Sequence, residues 1–549
     1  MQRFLSRLSP KVAPVAWACL LAAHTASSAT AVTFRTSDAR LASAFDWARK
    51  QALAYTFKGD PVGLWYEAAL PGRQAFCMRD TAHQSMGAHF LGLEPYTRNM
   101  LRKFAENISE SKDWCSYWEI NRDNVPAPVD YKDDAQFWYN LPANFDVLDA
   151  SYRMYVWSGD SSYLIDPVFQ NFYRRTVHDY VERWDLSLER IMMRPRIMNI
   201  RGHLDPANRF QTNRGIPSYD EANPDFVVAI DQLAAQYAGY LAYSRLARLR
   251  ADTSEANEFL RRAIAVKAFV NEIWWDKKSG TYYSRVNLDH RLEGNGLTIS
   301  LLYYEVAQDG EKSAAVLKSI LEAIQHKERM GVEGQSHLPE ILYRYGKAEA
   351  AYQQILDLTR EDKERREYPE VSYSVVGAIV NCLMGIEVES PEPGKAFQDA
   401  QYVEGPVVTT PRLTSQTEWA EVGQVPVRAN QINVRHEGLR RSTLQNTTGP
   451  SLVWKACFPG SFATLIVDGK AVQAKSAGRH GEVLSCATID VGSGDTRTVY
   501  TRRSRRHQRV RSQNLIGSNF RPVLVGLEHG RCPRTSKDAR ISPGLQYWH

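Results

Sequence analysis

Twelve stretches between about residues 35 and 388 have apolar side chains at i, i+3 and i+4 spacing, which predicts twelve amphipathic helices. They are 38–56, 81–92, 95–108, 142–157, 161–183, 225–248, 255–274, 296–307, 311–325, 335–345, 347–359 and 371–385. The even-numbered stretches are the more apolar, and a helix that is apolar all round packs in an interior. The pattern therefore predicts a mainly α fold in which every second helix is an inner helix.

The links between these stretches alternate in length. Those after the even-numbered stretches are short, and those after the odd-numbered ones are mostly long. This alternation predicts an (α/α)6 toroid of six helical hairpins, whose six inner helices are ringed by six outer ones. The long links would gather at one mouth, beside the N-termini of the inner helices, where loops on a rigid scaffold commonly carry function. A helical solenoid is the alternative, but it usually has a sequence repeat and short links at both ends.

The pattern changes near residue 397 to short β-rich runs broken by Gly, Pro and Asn. The segment "VDGK" within them is typical of a hairpin turn. These runs predict a small antiparallel β-sandwich over 397–499, joined by the linker 390–398 to the (α/α)6 helical domain over 32–389. The seven cysteines show no metal-binding spacing. Cys457 and Cys486 lie in nearby strand-like runs and form one possible disulfide, but the sequence leaves the pairing open.

Both ends of the chain differ from its body. Residues 1–31 have three cations, then the apolar run "VAPVAWACLLAA", then small residues ending in "ATA", which is typical of a secretory signal peptide. We therefore expect export to the periplasm or the extracellular space, and no membrane span. Residues 500–549 lack helical or strand periodicity and predict a basic, disordered tail.

Charge limits the partners of the folded body. The tail has ten Arg and one Lys against two acids, and the signal segment adds three cations, so removing both from the total of +6 leaves −6. A mildly acidic body does not favour polyanions, and the tail lacks the interleaved aromatics of a nucleic-acid-binding segment. We therefore expect no nucleic-acid partner.

The predicted N-termini of the six inner helices converge on one pocket, so the residues there are candidates for chemistry. In chain order they are Arg79, Asp80 and His83; Trp138, Tyr139 and Asn140; Asp220 and Glu221; Glu293 and Asn295; Glu333, Gln335 and His337; Glu367, Tyr368 and Glu370. The long links add Trp65, Tyr66, Trp114, Trp118, Glu119 and Arg122. Aromatic rings, amides and carboxyl groups are the side chains that suit a sugar.

A simpler explanation applies to many of these acids, because an acid in the first helical turn stabilises the helix. Asn223, Pro224 and Asp225 fit the start of the third inner helix in this way. Asp220 and Glu221 precede that start and gain nothing from it, so they remain candidates for catalysis.

The histidines give only a weak metal signal. His83 and His89 are spaced i, i+6, and His337 stands alone. We therefore expect no metal and no other cofactor.

The Arg79–Asp80 pair and the segment "SYDEANPDFVVAIDQLAAQYAGYLA" resemble the six-hairpin glycosidases, the group that contains glucoamylases, trehalases and rhamnosidases. The resemblance implies a general acid at Asp220 with Glu221 beside it. It implies a general base from the loop before the sixth inner helix, which contains Glu361, Glu364, Glu367 and Glu370. It also implies that Arg79 and Asp80 hold sugar hydroxyls. The chain departs from glucoamylases in having Asp where they have Glu.

We therefore expect a glycoside hydrolase that cleaves an O-glycosyl bond of an oligosaccharide or polysaccharide with two carboxyl groups. Asp220, its pKa raised by burial near Glu221, would be the acid, Glu370 would be the base, and the outcome would be inversion. The expected substrate-binding residues are Arg79, Asp80, Trp118, Glu119, Trp138, Asn140, Glu333, Gln335, His337 and Tyr368.

Three alternatives remain open from the sequence. One is a polysaccharide lyase on the same toroid, in which Arg79, Arg122 and Arg214 would neutralise a uronate. Another is a carbohydrate-binding protein without catalysis. The third is a metal-dependent enzyme of the same fold.

Overall fold

The computed structural model describes residues 32–68, 70–195, 214–221, 226–294, 298–328, 330–390 and 405–502. The predicted signal peptide, the linker from 391 and the tail from 503 lie outside the described residues. Up to Thr501 the chain forms one compact unit. Among the described residues, no helix has the length and apolar character needed to cross a membrane.

Helices form at each of the twelve periodic stretches. They are α1 Ala39–Ala54, α2 Met78–Phe90, α3 Glu94–Glu106, α4 Ala143–Ser158, α5 Ser162–Ile165, α6 Pro167–Arg175, α7 Val181–Arg183, α8 Ile230–Leu249, α9 Thr253–Ile273, α10 Ser300–Tyr303, α11 Glu311–Gln325, α12 Val332–Arg344, α13 Ala348–Leu358 and α14 Pro369–Gly377. A π-helical turn over Thr176–Tyr180 joins α6 to α7, and another over Ala378–Leu383 extends α14. A 3₁₀ turn covers Glu110–Lys112.

Six of these helices contact one another in a closed series. In order, α2 contacts α4, α4 contacts α8, α8 contacts α10, α10 contacts α12, α12 contacts α14, and α14 contacts α2. In α2 every residue except His83 is buried, as expected for a helix with neighbours on all sides. The longer remaining helices pack outside this series: α1 contacts α14, α3 contacts α2, α9 contacts α8, α11 contacts α10, and α13 contacts α12.

Three predicted helices differ from the periodic stretches. The stretch 225–248 begins its helix only at Ile230, because Val228–Ala229 form a strand instead. The stretch 296–307 contains only one helical turn, and 161–183 is divided because Pro167 starts a new helix there. Apolar spacing detects that a helix exists, but it does not fix where the helix begins.

Close packing holds α2 and α14 together. A Cβ atom added to Gly87 of α2 would lie 2.1 Å from the carbonyl oxygen of Tyr373 in α14. Only glycine allows the two backbones to approach this closely, and the approach brings the first turns of both helices, with Asp80 and Glu370, to the same region.

The strands form two larger sheets and several short ladders. They are β1 Thr33–Thr36, β2 Thr56–Asp60, β3 Gly63–Tyr66, β4 Ala75–Cys77, β5 Glu119–Asn121, β6 Tyr131–Asp133, β7 Gln136–Phe137, β8 Tyr139–Asn140, β9 Arg214–Ile216, β10 Val228–Ala229, β11 Trp275–Asp276, β12 Thr281–Tyr282, β13 Arg285–Val286, β14 Leu292–Glu293, β15 Ile386–Val388, β16 Val407–Thr409, β17 Trp419–Val427, β18 Asn430–Glu437, β19 Arg441–Thr448, β20 Leu452–Pro459, β21 Thr464–Val467, β22 Lys470–Gln473, β23 Lys475–Arg479, β24 Glu482–Val491 and β25 Thr496–Thr501.

The two larger sheets form a sandwich-like region at the C-terminal end. The seven-stranded sheet has the order β1-β17-β18-β19-β25-β21-β22, and the five-stranded sheet has the order β15-β16-β20-β24-β23. Buried and solvent-facing side chains alternate along β18, as in a sheet with one covered face. All pairs are antiparallel except β16 with β20, which is parallel, so the expectation of a purely antiparallel region is wrong at this point.

Strands from outside the C-terminal region complete both sheets. Thr33 in β1 pairs with Gly423 in β17, and β15, which directly follows the helices, joins the other sheet. Cys457 and Cys486 face each other across β20 and β24 and are joined by a disulfide. The pair left open by the sequence is therefore the one that forms.

Candidate active site

Acidic residues stand in the first turn of five of the six mutually contacting helices. They are Asp80 in α2, Asp146 in α4, Asp231 in α8, Glu333 in α12 and Glu370 in α14. The partial positive charge of a helix N-terminus stabilises an acid there. Because each acid has this explanation taken alone, only the contacts between them show whether they form a site.

Arg79 joins two of these acids, Asp80 and Glu333, to Glu221 in one cluster. Its Nη1 donates a hydrogen bond to Glu221 Oε1 at 2.8 Å, and its Nε lies 2.9 Å from Glu333 Oε1 and 3.8 Å from Asp80 Oδ1. The guanidinium lies 5.4 Å from the centre of the Trp118 ring. Burial lowers the pKa of Arg79, but the three carboxyl groups outweigh this and hold it well above its ordinary value. Arg79 is therefore a buried, permanent cation.

Of the two neighbouring acids Asp220 and Glu221, it is Glu221 whose carboxyl group contacts Arg79 in this cluster. Its Oε1 accepts hydrogen bonds from Arg79 and, at 3.2 Å, from Asn140 Nδ2. Burial is the main cause that raises the pKa of Glu221 to about 7, with the charges of Glu333 and Asp80 adding to the effect of burial and Arg79 opposing it.

Asp220 is exposed. The expectation that Asp220 is the buried member of the pair is therefore wrong. Its backbone N–H is held by Ser218 Oγ at 2.9 Å, and it is the next side chain, that of Glu221, which reaches Arg79.

A buried aspartate anchors the segment that carries Glu221. Asp231 Oδ2 accepts hydrogen bonds from the Ser218 hydroxyl at 2.8 Å and from the Tyr219 backbone N–H at 2.9 Å. Burial raises the pKa of Asp231 to about 6. The predicted start of this helix near residue 225 is wrong, because α8 begins at Ile230, after β10. Asn223, Pro224 and Asp225 themselves lie outside the described residues.

Sequence reasoning missed a second network, centred on Asp146. Its Oδ1 accepts hydrogen bonds from Tyr219 Oη and Tyr304 Oη, both at 2.6 Å, and the two hydroxyls lie 2.9 Å apart. His83 Nε2 lies 3.2 Å from Tyr304 Oη, and its Nδ1 lies 3.5 Å from Glu333 Oε1. Burial lowers the pKa of His83, but Asp146 and Glu333 outweigh it and raise this pKa to about 9.

A small cavity lies against the cluster. Asp80, His83, Glu333, His337 and Glu370 line it, and its volume is about 30 Å³. Ligand pockets commonly measure about 300–1,000 Å³, so a sugar ring has to bind outside this cavity.

The carboxyl groups of the cavity differ in their affinity for protons. Burial is the first cause that raises the pKa of Asp80 to about 6 and that of Glu370 well above its ordinary value. Burial also raises the pKa of Glu333, but Arg79 and His83 outweigh it and hold this pKa at about 2. Glu333 is therefore the ionised member of the set near neutral pH, and the surroundings of Glu370 favour its protonated form.

The aromatic residues predicted to bind a sugar are largely buried. Trp118 and Trp138 pack edge to face with ring centres 4.4 Å apart, and both are less than 9% exposed.

Glu119 lies 2.8 Å from Arg73 Nη2, which also contacts Asp130 at 2.9 Å. Glu119 is therefore part of a buried ion-pair network next to β4 and not a group at the predicted mouth.

Three other predicted residues have local structural roles. Gln335 Nε2 donates to the Met330 carbonyl at 2.7 Å, and Tyr368 is the N-cap residue of α14. Glu293 accepts hydrogen bonds from Arg285 and Asn287. Asn295 lies outside the described residues.

The four glutamates of the loop before α14 differ in exposure and in whether they line the cavity. Glu361, Glu364 and Glu367 are exposed, while Glu370 lines the cavity. Of the four acids that the resemblance offered as bases, Glu370 is thus the one beside the cluster.

Neither a protein-family model nor a curated protein matches the sequence. Among solved structures, the chain is similar to an α-L-rhamnosidase from Dictyoglumus thermophilum, with a TM-score of 0.57 and 14% identity, over 86% of this chain and 50% of that one. It is also similar to an α-L-rhamnosidase from Aspergillus terreus, with a TM-score of 0.50 and 12% identity, over 85% and 50% of the two chains. A structure titled "Sialidase" has a TM-score of 0.50 and 10% identity, over 74% and 38%.

The chain spans half of the length of the two rhamnosidases that it matches. At these identities the likeness concerns the fold and not the reaction. The expected resemblance is confirmed for the fold alone, because the chain is similar to these two rhamnosidase structures and has a helical body joined to a sandwich-like sheet region.

Proposed function

We propose that this protein is a glycoside hydrolase that cleaves a glycosidic bond with two carboxyl groups, Glu221 as the general acid and Glu370 as the general base. The observation that carries the proposal is the carboxyl cluster around Arg79, on a fold shared with known glycosidases. Glycosidases of both stereochemical outcomes commonly use a pair of acidic residues that differ in proton affinity.

Glu221 suits the role of acid for two reasons. Its pKa of about 7 leaves it partly protonated near neutral pH, which is the range in which a general acid is most effective. Arg79 and Asn140 both bind Oε1, so Oε2 is left to donate the proton to the leaving oxygen.

Glu370 has to be ionised to act as the base. Burial and the charges of Asp80 and Glu333 favour its protonated form, so its proton has to leave before water can be activated. The same observation favours a second assignment, in which Glu370 is the acid and Glu221 is the base. Variants of the two residues distinguish these assignments.

We further propose that the closed series of helices is an (α/α)6 toroid and that the reaction inverts the anomeric centre. The order of helix contacts supports the first proposal. Inversion needs about 6.5–9.5 Å between the two carboxyl groups to admit a water. The sugar would bind outside the small cavity, where Arg79, Asp80, Asn140 and Glu333 can reach its hydroxyl groups.

A polysaccharide lyase is less well supported. A uronate needs a free cation, and the three arginines considered for it already contact acids. Arg79 contacts Glu221 and Glu333, Arg122 Nη2 lies 2.7 Å from Asp60 Oδ1, and Arg214 contacts the buried Asp113.

We retain export after removal of residues 1–31 as part of the proposal, on the sequence pattern alone.

The experiment compares Glu221→Gln and Glu370→Gln on two kinds of substrate. A screen of aryl glycosides and oligosaccharides first identifies the sugar, and NMR of the first product gives the stereochemistry. If Glu221 is the acid, Glu221→Gln loses activity by several orders of magnitude on a poor leaving group but retains it on a dinitrophenyl glycoside, which needs no protonation. Glu370→Gln loses both activities, and azide restores turnover.

Asp220→Asn is the matched control, since Asp220 is exposed and adjacent in sequence. It should keep near-normal turnover. Release of no sugar by the wild-type protein across the screen would contradict the hydrolase proposal, and a reversed pattern between the two variants would exchange the roles.

A further inference from the structure

Three side chains at the cavity present the donor atoms that a transition-metal ion prefers. His83 lies on α2, while Glu333 and His337 lie on α12, and one donor atom from each lies within 4.8 Å of the others. Glu333 and His337 are four residues apart, so they share one face of their helix. Two imidazoles and one carboxylate are a known ligand set for Zn²⁺.

The imidazole of His83 has one nitrogen engaged and one without a hydrogen-bond partner. Its side chain is 7% exposed, and Nδ1 makes no hydrogen bond within the described part of the chain. Nε2 lies 3.2 Å from Tyr304 Oη and 3.8 Å from Asp146 Oδ1. Metal-binding histidines commonly have this arrangement, in which a carboxylate or other polar group holds the second ring nitrogen.

The cavity itself needs a polar occupant. Gln84 and Asn381, which line it together with the three ligands, have buried amide atoms without a hydrogen-bond partner among the described residues. Buried polar groups are usually satisfied by protein, water or an ion. The cavity volume of about 30 Å³ exceeds the roughly 10–15 Å³ that one bound water needs on the same measure.

Glu333 contacts two cationic side chains at the cavity. Its Oε1 lies 2.9 Å from Arg79 Nε and 3.5 Å from His83 Nδ1. The Nε–H of Arg79 makes no aligned hydrogen bond, whereas its Nη1 donates one to Glu221. A metal ion bound to Glu333 would therefore replace the Arg79–Glu333 ion pair and leave the hydrogen bond to Glu221 in place.

We propose that His83, Glu333 and His337 bind one divalent transition-metal ion of the Zn²⁺ class at this cavity. The ion takes the place of the proton on the His83 ring and of the contact between Arg79 and Glu333. The donor atoms move together on binding, since metal–ligand distances of about 2.0–2.2 Å require a tighter set. The inference concerns binding alone and does not depend on the proposed hydrolase activity.

The test is isothermal titration of the chelator-treated, dialysed protein with ZnCl₂, and with CaCl₂ in parallel, followed by calorimetric melting. We expect one tight Zn²⁺ site per chain, a higher Tm with Zn²⁺, and little effect of Ca²⁺, which prefers oxygen ligands. His337→Ala should weaken Zn²⁺ binding at least tenfold and abolish the rise in Tm.

Glu333→Gln is a second variant, in case His337→Ala does not fold. His178→Ala is the control, because His178 pairs with Glu255 away from the cavity. Absence of Zn²⁺ binding by the wild-type protein, or undiminished binding by both ligand variants, would overturn the inference.

Discussion

Alternating charges connect the two networks of the site. Asp146, His83, Glu333, Arg79 and Glu221 follow one another at 2.8–3.8 Å, anion next to cation. Removing one member of a buried pair leaves its neighbour uncompensated, which costs more than an exposed pair contributes. Arg79 and Glu333 both influence the proton affinity of Glu221, and among the described residues Arg79 and Asn140 bind its carboxyl group.

The raised pKa of Glu221 predicts a pH limit to activity. A carboxyl group whose folded pKa is raised to about 7 holds its proton below that value and loses it as the pH rises through 7. If Glu221 is the acid, kcat/KM for a substrate with a poor leaving group falls tenfold per pH unit above about 7. The measurement is a pH profile of the wild-type protein beside Glu221→Gln assayed on an activated aryl glycoside. Persistence of the same alkaline limb in the variant would assign it to another group.

The sequence could predict a site residue when its position at a helix start was sufficient, but not when its role depends on a partner far away along the chain. Arg79, Asp80 and Glu370 could be found because each stands at the start of a periodic stretch. Asp146 could not be distinguished from an ordinary helix-stabilising acid, and its partner Tyr304 is 158 residues away. The resemblance favoured Asp220 over Glu221, but the sequence could not show which of the two is buried, because burial separates them only after the chain has folded.

At the scale of helices and strands, apolar periodicity was sufficient to place all twelve helices but not their ends. The start of α8 could not be predicted, because Val228–Ala229 pair with β13 and the competing strand is a tertiary contact. Pairing of β1 with β17 could not be predicted either, since almost 390 residues separate them along the chain.

The close approach of α2 and α14 predicts a large effect from one added methyl group. Gly87→Ala places a Cβ atom 2.1 Å from the Tyr373 carbonyl oxygen, so the helices have to separate. Overpacking of this kind typically costs about 1–3 kcal/mol, and we expect at least that loss in the free energy of unfolding, measured by urea denaturation.

Gly377→Ala on α14 is the control for this measurement, since a Cβ atom there would lie 3.7 Å from the Gly87 backbone nitrogen, an ordinary van der Waals contact. It should not lower the stability, because alanine favours a helix more than glycine does. Equal stability of the two variants would show that α2 and α14 can adjust without cost.

At the scale of the whole molecule, buried histidines join the helices to the sheets. His89 Nε2 on α2 lies 3.1 Å from the Pro426 carbonyl oxygen, and His436 Nε2 on β18 lies 2.9 Å from that of Met384. Arg428 adds a hydrogen bond from its backbone N–H to the Trp157 carbonyl at 2.6 Å. These contacts, together with β1 and β15, make the helices and sheets one compact unit.

This arrangement predicts that helices and sheets unfold together. Thermal unfolding followed by far-ultraviolet circular dichroism and by tryptophan fluorescence should give coincident midpoints. Two separate midpoints would show that the sheet region is independently stable.

The same histidines predict a loss of stability in acid. Burial lowers the pKa of His436 to about 4 from 6.5, so the folded state resists protonation. The stability present above pH 6.5 is therefore lost as the pH falls to about 4, by roughly 3 kcal/mol at about 1.4 kcal/mol per pH unit. His436→Gln should show a shallower fall in Tm over this range, whereas an unchanged slope would assign the effect to other groups.

The strand β1 has a consequence for how the chain is assembled. It occupies the edge of the seven-stranded sheet next to β17, so the first described residues wait for a partner that is synthesised almost 390 residues later. Until they dock, the backbone groups of β17 stay open to strands of other chains. Pairing of such distant segments is also slow. Docking of β1 therefore competes with aggregation. A fusion ahead of β1 should influence this competition, although the fused segment lies far from the carboxyl cluster in sequence.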